Sequence, residues 1–140
     1  MIRILILCTG NSCRSQIAEG YLKSFNEEIE VHSAGTIPEA KVSSIAIKVM
    51  KEAGIDISSH FPKNVDEFVD QSFDYILTVC DNAKEVCPVF NGDVKHQLHI
   101  PFEDPADTAG TEDEMIKVYR KVRDEIRARF ERLYNDEITR

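Results

Sequence analysis

The N-terminal segment contains the pattern that most constrains the fold. Residues 2–7 form a nearly continuous aliphatic run, which is typical of a strand buried on both faces of a parallel sheet. A glycine-containing loop, Cys8–Arg14, follows at once. Apolar side chains then recur with helical spacing, at positions 17, 18, 21, 22 and 25. We therefore predict a central strand, a short loop and a helix over residues 15–25.

The rest of the chain alternates between strand-like and helix-like segments. Three further strands are predicted, over residues 30–34, 73–80 and 97–102. Pro101 cannot donate to a central ladder, so the last of these strands should lie near an edge of the sheet. Helices are predicted over residues 42–53, 64–69 and from a capping box at Thr111–Glu114 onward. Together these elements predict a single α/β domain over residues 1–140 with a parallel sheet.

Charge and length exclude several classes of function. The chain of 140 residues has a formal net charge of -8 and a pI near 5.0, which provides no basic surface for nucleic acid or an anionic membrane. The aliphatic run at the N-terminus is too short to span a bilayer, and no small-residue cleavage site follows it. We therefore expect a cytoplasmic protein that is a monomer.

Four cysteines, Cys8, Cys13, Cys80 and Cys87, carry the candidate chemistry. Their spacing does not match the paired Cys-x-x-Cys layout of a structural zinc site. Without a signal peptide, reactive or buried thiols are favoured over structural disulfides. The four histidines are scattered without a metal-ligand spacing, and we assign them no catalytic role.

The loop from Cys8 to Arg14 has the composition of an oxyanion site. Successive backbone N–H groups can curl around a tetrahedral oxyanion, the N-terminus of the following helix adds partial positive charge, and Arg14 supplies a bidentate fork. The same field should lower the pKa of Cys8, and Ser15 can donate a hydrogen bond to its thiolate. The predicted oxyanion-binding residues are Thr9, Gly10, Asn11, Ser12, Cys13, Arg14 and Ser15.

A cysteine and an arginine with five residues between them also occur by chance, around a buried structural thiol. The context favours the functional interpretation. A predicted strand precedes the loop, a predicted helix follows it, and Gly10 and Asn11 suit tight backbone turns. Cys13 has no required chemical role, and its thiol is interpreted as a packed small side chain.

Several motifs together resemble the low-molecular-weight protein tyrosine phosphatase superfamily, and within it the thioredoxin-coupled arsenate reductase branch. Besides the loop, they are Val31–Gly35, the sequence Val-Cys-Asp at 79–81, Cys87 with Pro88, and Phe102–Ala106. The resemblance covers nearly the whole chain. It implies a four-stranded parallel sheet flanked by helices, with the anion site at the carboxyl end of the first strand.

The resemblance also implies catalytic roles. Cys8 would attack arsenate, Arg14 and the loop amides would stabilise the oxyanion, and Asp104 would protonate the departing oxygen. Asp104 is preferred over Glu103 and Asp107 because it alone matches the family motif. A covalent arseno-cysteine would result, and phosphate or sulfate would compete with arsenate for the site.

The three-cysteine relay that follows is likewise implied by the resemblance. Cys80 would attack the sulfur of Cys8, releasing arsenite and forming a disulfide. Cys87 would then attack Cys80, and thioredoxin would reduce the redox disulfide Cys80–Cys87. Bond formation requires the two Cα atoms to approach to about 5.5–6 Å, so residues 81–86 must loosen if they are helical.

Some arsenate reductases of this type hold a potassium ion beside the loop. The corresponding side chains here are Asn11, Glu19 and Ser33, with Lys63 where an acidic ligand is expected. A lysine ammonium can replace the ion, so potassium dependence is not predicted and no other metal or bound cofactor is expected.

Two alternatives remain from the sequence. A low-molecular-weight tyrosine phosphatase typically has proline where this chain has Gln16, and tyrosines where it has Ala106 and Asp107. A non-enzymatic oxyanion or redox sensor could use the same loop, but no DNA-binding element or partner helix is visible.

Overall fold

The computed structural model describes residues 2–80 and 90–138. Four strands form one sheet, namely β1 (Arg3–Cys8), β2 (Glu30–Gly35), β3 (Phe73–Thr78) and β4 (Val94–His99). The strand order is β2-β1-β3-β4 and every neighbouring pair is parallel. The four-stranded parallel sheet is therefore confirmed, and β1 is one of its two central strands.

The described residues contain three α-helices, which occur in the expected order along the chain. They are α1 (Arg14–Phe25), α2 (Ser44–Glu52) and α3 (Glu112–Leu133). Short 3-10 turns occupy Val65–Glu67 and Pro105–Asp107, and a π turn at Tyr134–Ile138 continues α3. The Ser43 hydroxyl accepts from the Ala46 N–H and the Thr111 hydroxyl accepts from the Glu114 N–H, which satisfies amide groups that a helix start would otherwise leave unpaired.

Alternating side chains of β1 serve two different hydrophobic cores. Ile4 and Ile6 face the larger core, which is completed by all three helices, whereas Leu5 and Leu7 face a smaller one with Val65, Phe68, Phe73 and Ile76. Both sets are fully or almost fully buried. Burial on both faces explains why the first strand is a continuous aliphatic run. None of the helices in the described part of the chain is long and apolar enough to cross a bilayer.

The fourth strand was predicted three residues too late. It spans Val94–His99, pairing Phe73 with Val94 and Thr78 with His99. As an edge strand it is largely exposed and polar, so it lacks the apolar pattern by which a strand is identified. Ile100 and Phe102 continue alongside the β3 segment, because their backbone N–H groups donate to the carbonyls of Thr78 and Val79 at 2.8 and 3.1 Å. Both side chains are buried, which explains why residues 97–102 resemble a strand in sequence.

The helix predicted over residues 64–69 was also wrong. Only a 3-10 turn forms there, at Val65–Glu67. The Asn64 side chain accepts from the Asp66 N–H, and the Glu67 carboxylate accepts from the Asn64 N–H at 3.3 Å. Phe68 must turn into the smaller core immediately afterwards, so the chain does not continue along one helix axis.

Candidate active site

The predicted oxyanion loop lies at the carboxyl end of the sheet. β1 ends at Cys8 and α1 begins at Arg14, so the loop joins a central strand to a helix N-terminus. Cys8 pairs with Gly35 in the β1–β2 register. A Cβ atom on Gly35 would lie 2.4 Å from the Thr9 carbonyl oxygen, so only glycine allows the loop to pack this closely against β2.

The segment after β2 forms a second wall around the loop. Its backbone N–H groups donate to the loop carbonyls, from Ile37 to Thr9 at 3.0 Å, from Glu39 to Gly10 at 2.9 Å, and from Ser43 to Ser12 at 2.8 Å. The loop carbonyls are thereby bound by the neighbouring segment, as expected for a loop whose N–H groups surround an anion.

Asn11 has the unusual backbone conformation in this loop. Its φ of 52° lies in the left-handed region, which costs about 1–2 kcal/mol for a residue with a Cβ. The buried side chain compensates: Nδ2 donates to Ser15 Oγ at 2.7 Å and to Ser33 Oγ at 2.9 Å, while Oδ1 accepts from the Lys63 N–H at 2.9 Å. Asn11 thus ties the loop to α1, to β2 and to the segment before the 3-10 turn.

Gln16 supports the same turn from inside α1. It is fully buried, and its Nε2 donates to the Asn11 carbonyl at 3.0 Å and to the Phe61 carbonyl at 3.2 Å. Its Oε1 lies 3.0 Å from His60 Nδ1. The sequence showed Gln16 only as a departure from the phosphatase pattern, and His60 only as a scattered histidine. The sequence signal that could have found this pair is the polar Gln16 on the buried face of α1.

Arg14 and Asp104 meet at the cavity that the loop encloses. The guanidinium is buried, with Nη1 donating to the Phe102 carbonyl at 3.0 Å and Nη2 lying 3.4 Å from Asp104 Oδ2. The other Asp104 carboxylate oxygen accepts from the Ala106 N–H at 3.0 Å. Both side chains line a cavity of about 600 Å³ together with loop residues 8–13, so a cation and a candidate proton donor face the predicted anion site.

The surroundings of Cys8 lower the pKa of its thiol. Three groups hold the pKa of Cys8 below its ordinary value: Cys80 through a side-chain hydrogen bond, Arg14 through its positive charge, and Thr9 through its backbone N–H. Burial of the thiol acts in the opposite direction. The same hydrogen bond to Cys8, together with burial, raises the pKa of Cys80. These surroundings therefore favour the thiolate form of Cys8 and the thiol form of Cys80.

Thr9 connects the two sulfur atoms to the loop. Its hydroxyl oxygen lies 3.6 Å from Cys80 Sγ, a hydrogen-bond distance for sulfur. Either atom of this pair can be the donor while Cys80 is a thiol, and the Thr9 hydroxyl donates when Cys80 is a thiolate. This hydrogen bond, and the charge of Arg14, favour a Cys80 thiolate. The predicted partner Cys87, its pairing with Cys80 and the segment 81–86 lie outside the described residues.

Cys13 also lines the cavity but has a different environment. Burial raises the pKa of the Cys13 thiol, and the nearby Asp104 carboxylate raises it further. The Tyr119 side chain lies beside it, with its hydroxyl 3.3 Å from Ser43 Oγ. The Cys13 thiol is therefore protonated and packed on the α3 side of the loop.

The residues considered for potassium surround the carboxylate of Glu19, which is already paired with lysine side chains. The buried Glu19 carboxylate accepts from Ser33 Oγ at 2.6 Å and from Lys23 Nζ at 2.7 Å, and Lys63 Nζ lies 3.9 Å away. Burial acts to raise the pKa of Glu19, but the hydrogen bonds from Lys23 and Ser33 hold it below its ordinary value. Since the carboxylate already has two ammonium neighbours, these residues do not fit a potassium ion.

One acidic residue of the cavity lining was missed by the sequence analysis altogether. Glu39 lines the same cavity as Cys8 and Arg14, beside Ile37 and Pro38. It lies in a loop that carries no motif, so nothing in the sequence distinguished it from an ordinary exposed acid. Asp107, which the sequence ranked below Asp104 as an acid, also lines this cavity, whereas Glu103 pairs with Lys121 at 3.1 Å.

Comparisons with known proteins agree with this geometry. An arsenate reductase of Halalkalibacterium halodurans is 46% identical over 124 residues, which is 88% of each chain. A solved structure described as an arsenate reductase in the phosphate binding state superposes with a TM-score of 0.82 at 29% identity, covering 96% of this chain and 98% of the other.

A solved structure of a thioredoxin-dependent arsenate reductase of Corynebacterium glutamicum is 25% identical and has a TM-score of 0.67. The superposition covers all of this chain and 64% of the other chain. The sequence profile described as low molecular weight phosphotyrosine protein phosphatase matches residues 3–140. This match agrees with the parallel four-stranded sheet and with the loop between β1 and α1. The chain therefore belongs to the low molecular weight phosphotyrosine protein phosphatase family.

Proposed function

We propose that this protein reduces arsenate to arsenite, using Cys8 as the nucleophile and thioredoxin as the final reductant. The observation that carries the proposal is the position of Cys80, a second thiol beside Cys8, whose sulfur lies 3.6 Å from the Thr9 hydroxyl of the oxyanion loop. A hydrolase of this fold needs water at the cysteine adduct, whereas a reductase needs a second thiol next to the first. The arsenate reductases among the relatives support the same reaction.

The first step forms a bond between Cys8 sulfur and arsenic. The thiolate attacks arsenic(V), an arsenic–oxygen bond breaks, and Asp104 donates the proton with which the oxygen leaves as water. Arg14 and the loop N–H groups stabilise the negative charge on the remaining oxygens. The product is a Cys8 thioester of arsenate, and no electron has yet been transferred.

The second step transfers two electrons to arsenic. Cys80 loses its proton and attacks Cys8 sulfur, a disulfide forms, and the electron pair of the sulfur–arsenic bond stays on arsenic, which leaves as arsenite. The bond between Cys8 sulfur and arsenic removes the Cys8 thiolate, whose hydrogen bond with Cys80 is the first cause of the raised pKa of Cys80 and whose negative charge also raises it. The Thr9 hydroxyl and the Arg14 charge, which favour the Cys80 thiolate, then act unopposed by that charge.

Regeneration follows by thiol–disulfide exchange. Cys87 attacks Cys80, so that Cys8 is released as a thiolate and the disulfide moves to Cys80–Cys87. Thioredoxin then reduces this disulfide by the same chemistry. The thioredoxin-dependent relative from Corynebacterium glutamicum supports this choice of reductant.

A tyrosine phosphatase is the second candidate, because the same loop can hold a phosphoryl group. The described residues around the cavity argue against phosphotyrosine as the substrate. The side chains beside the loop are aliphatic or acidic, namely Ile37, Pro38, Glu39, Asp104, Ala106 and Asp107. None of them offers an aromatic face on which a phenyl ring could stack.

Two assays on the same samples separate these functions. Arsenate-dependent NADPH oxidation, coupled through thioredoxin reductase and thioredoxin, is measured for the native chain, Cys80→Ser and Cys87→Ser. Hydrolysis of p-nitrophenyl phosphate is the matched control. We expect both substitutions to abolish arsenate turnover while any hydrolysis persists. Strong hydrolysis without arsenate turnover in the native chain would instead establish a phosphatase.

A further inference from the structure

The cavity that faces the oxyanion loop has an unexpectedly acidic lining for an anion site. Among its described residues, Arg14 is the one cationic side chain, whereas three carboxylates, those of Glu39, Asp104 and Asp107, share the lining. Asp104 lies beside the guanidinium of Arg14 at 3.4 Å. Glu39 has no ion pair within the described part of the chain. An uncompensated carboxylate at an anion site weakens anion binding unless the ligand offers it a proton.

The backbone at Glu39 is fixed against the loop. Its N–H donates to the Gly10 carbonyl at 2.9 Å. Its side chain then crosses Gly10, since a Cβ atom there would lie 3.1 Å from Glu39 Cγ and 3.5 Å from Oε1. The missing side chain of Gly10 therefore leaves the space through which the carboxylate reaches the rim of the loop. The Glu39 charge also acts on the loop itself, because it is one of the groups that raise the pKa of Cys13, after burial and Asp104.

An ionised carboxylate can only accept hydrogen bonds. Arsenate and phosphate both retain at least one proton on oxygen near neutral pH, and that O–H can donate to a carboxylate. Sulfate is fully ionised at the same pH, so it has no proton to offer and meets the carboxylate as a like charge. A carboxylate beside the loop thus separates two tetrahedral anions of similar shape.

We propose that Glu39 is a specificity-determining residue, which accepts a hydrogen bond from a protonated oxygen of arsenate or phosphate and repels sulfate. The inference rests on the proposed function in that arsenate is taken as the substrate. It refines the expectation that phosphate or sulfate would compete with arsenate, since sulfate is disfavoured by a repulsive contact rather than by size. Arg14 and the loop supply the attraction common to all three anions, and Glu39 supplies the discrimination.

The test compares anion binding in three chains at neutral pH and constant ionic strength. Inorganic phosphate and sodium sulfate are titrated separately into the reduced protein, and dissociation constants are taken from amide chemical shifts in the NMR spectrum. Glu39→Gln keeps the side-chain length and removes the charge. Glu103→Gln is the matched control, because it removes one acidic charge from a residue outside the cavity lining. The spectra also report whether each variant is folded.

We expect the native chain to bind phosphate more tightly than sulfate. Glu39→Gln should raise sulfate affinity by about tenfold or more, as removal of a like charge predicts, and should leave phosphate affinity unchanged or lower it, because the carboxylate that accepts its proton is gone. Glu103→Gln should keep the native ratio. An unchanged ratio in Glu39→Gln, or an equal change in both variants, would overturn the proposal, as would a native chain that binds the two anions equally.

Arsenate turnover distinguishes a failure of this inference from a failure of the proposed function. Sulfate should inhibit arsenate reduction more strongly in Glu39→Gln than in the native chain. If the binding ratio shifts as expected but no chain reduces arsenate, Glu39 selects protonated oxyanions and the reductase assignment fails. If arsenate is reduced but the ratio does not shift, only the role of Glu39 fails.

Discussion

The side chains of Cys8 and Cys80 interact, and this interaction is the first cause of the lowered pKa of Cys8 and of the raised pKa of Cys80. The two sulfur atoms belong to residues 72 positions apart in the chain. Their interaction favours the thiolate form of Cys8 and the thiol form of Cys80.

Removal of Cys80 is expected to raise the pKa of Cys8. Cys80→Ala deletes the donor, while Cys80→Ser retains a hydroxyl, so the serine variant should fall between alanine and the native chain. The pKa is measured from the pH dependence of alkylation of the Cys8 peptide by iodoacetamide, followed by mass spectrometry. The same alkylation midpoint in all three chains would show that Arg14 and the Thr9 N–H suffice.

Replacement of Thr9 is expected to slow the electron-transfer step. The Thr9 hydroxyl lies 3.6 Å from Cys80 Sγ, and a hydrogen bond to a charged group contributes about 1.5–3 kcal/mol. Thr9→Val should therefore reduce the rate of Cys8–Cys80 disulfide formation by about tenfold or more, and Thr9→Ser should restore most of it. The rate is followed in single-turnover quench experiments with arsenate on the Cys87→Ser background.

Hydrolysis of p-nitrophenyl phosphate is the control for the Thr9 variants, because it uses Cys8 and does not use Cys80. A valine variant that loses both reactions to the same extent has a distorted loop, and the specific role of the hydroxyl is then excluded.

Asn11 is expected to contribute to stability through its side chain as well as its backbone. Asn11→Ala loses three side-chain hydrogen bonds and keeps the left-handed backbone, so we expect a loss of roughly 2–4 kcal/mol in the free energy of unfolding. Asn11→Gly loses the same hydrogen bonds without backbone strain and should be less destabilised. Urea unfolding measures both, and equal losses would show that strain contributes nothing.

Stability should depend on pH through Glu19. Because its pKa is held below the ordinary value of 4.5, the folded state favours the charged form. This stabilisation is fully present above pH 4.5 and is lost as the pH falls through the lower pKa of the folded state. The difference in unfolding free energy between the native chain and Glu19→Gln should therefore shrink with acidification.

Urea unfolding at a series of pH values measures the Glu19 effect. Glu103→Gln, at an exposed ion pair, is the matched control and should show a much flatter difference. A Glu19 difference that does not vary with pH would mean that Lys23, Lys63 and Ser33 do not stabilise the charge.

The parts of the fold that were predicted correctly have strong local patterns. β1 is buried on both faces, so its whole length is aliphatic, and Cys8 and Arg14 mark the two ends of the loop that follows. α3 carries a regular apolar stripe and a Thr111 cap. β4 has neither kind of pattern, because an edge strand exposes polar side chains and its register depends on pairing with β3.

The parts of the site that were missed depend on contacts between distant segments. Gln16 and His60 are 44 residues apart, and their hydrogen bond forms only once α1 and the segment before the 3-10 turn have packed together. Glu39 approaches the loop because β2 places the next segment beside Gly10. Spacing along the chain carries no signal for either contact.

The hydrogen bonds from residues 37, 39 and 43 to the loop carbonyls have a consequence for the thermodynamics of ligand binding. A loop whose carbonyls, left-handed turn and glycine contact are all satisfied by the protein's own groups has little conformational entropy left to lose. Binding of a small oxyanion then requires desolvation and almost no ordering of the protein. The affinity can thus reflect the chemistry of the anion rather than the cost of assembling its site.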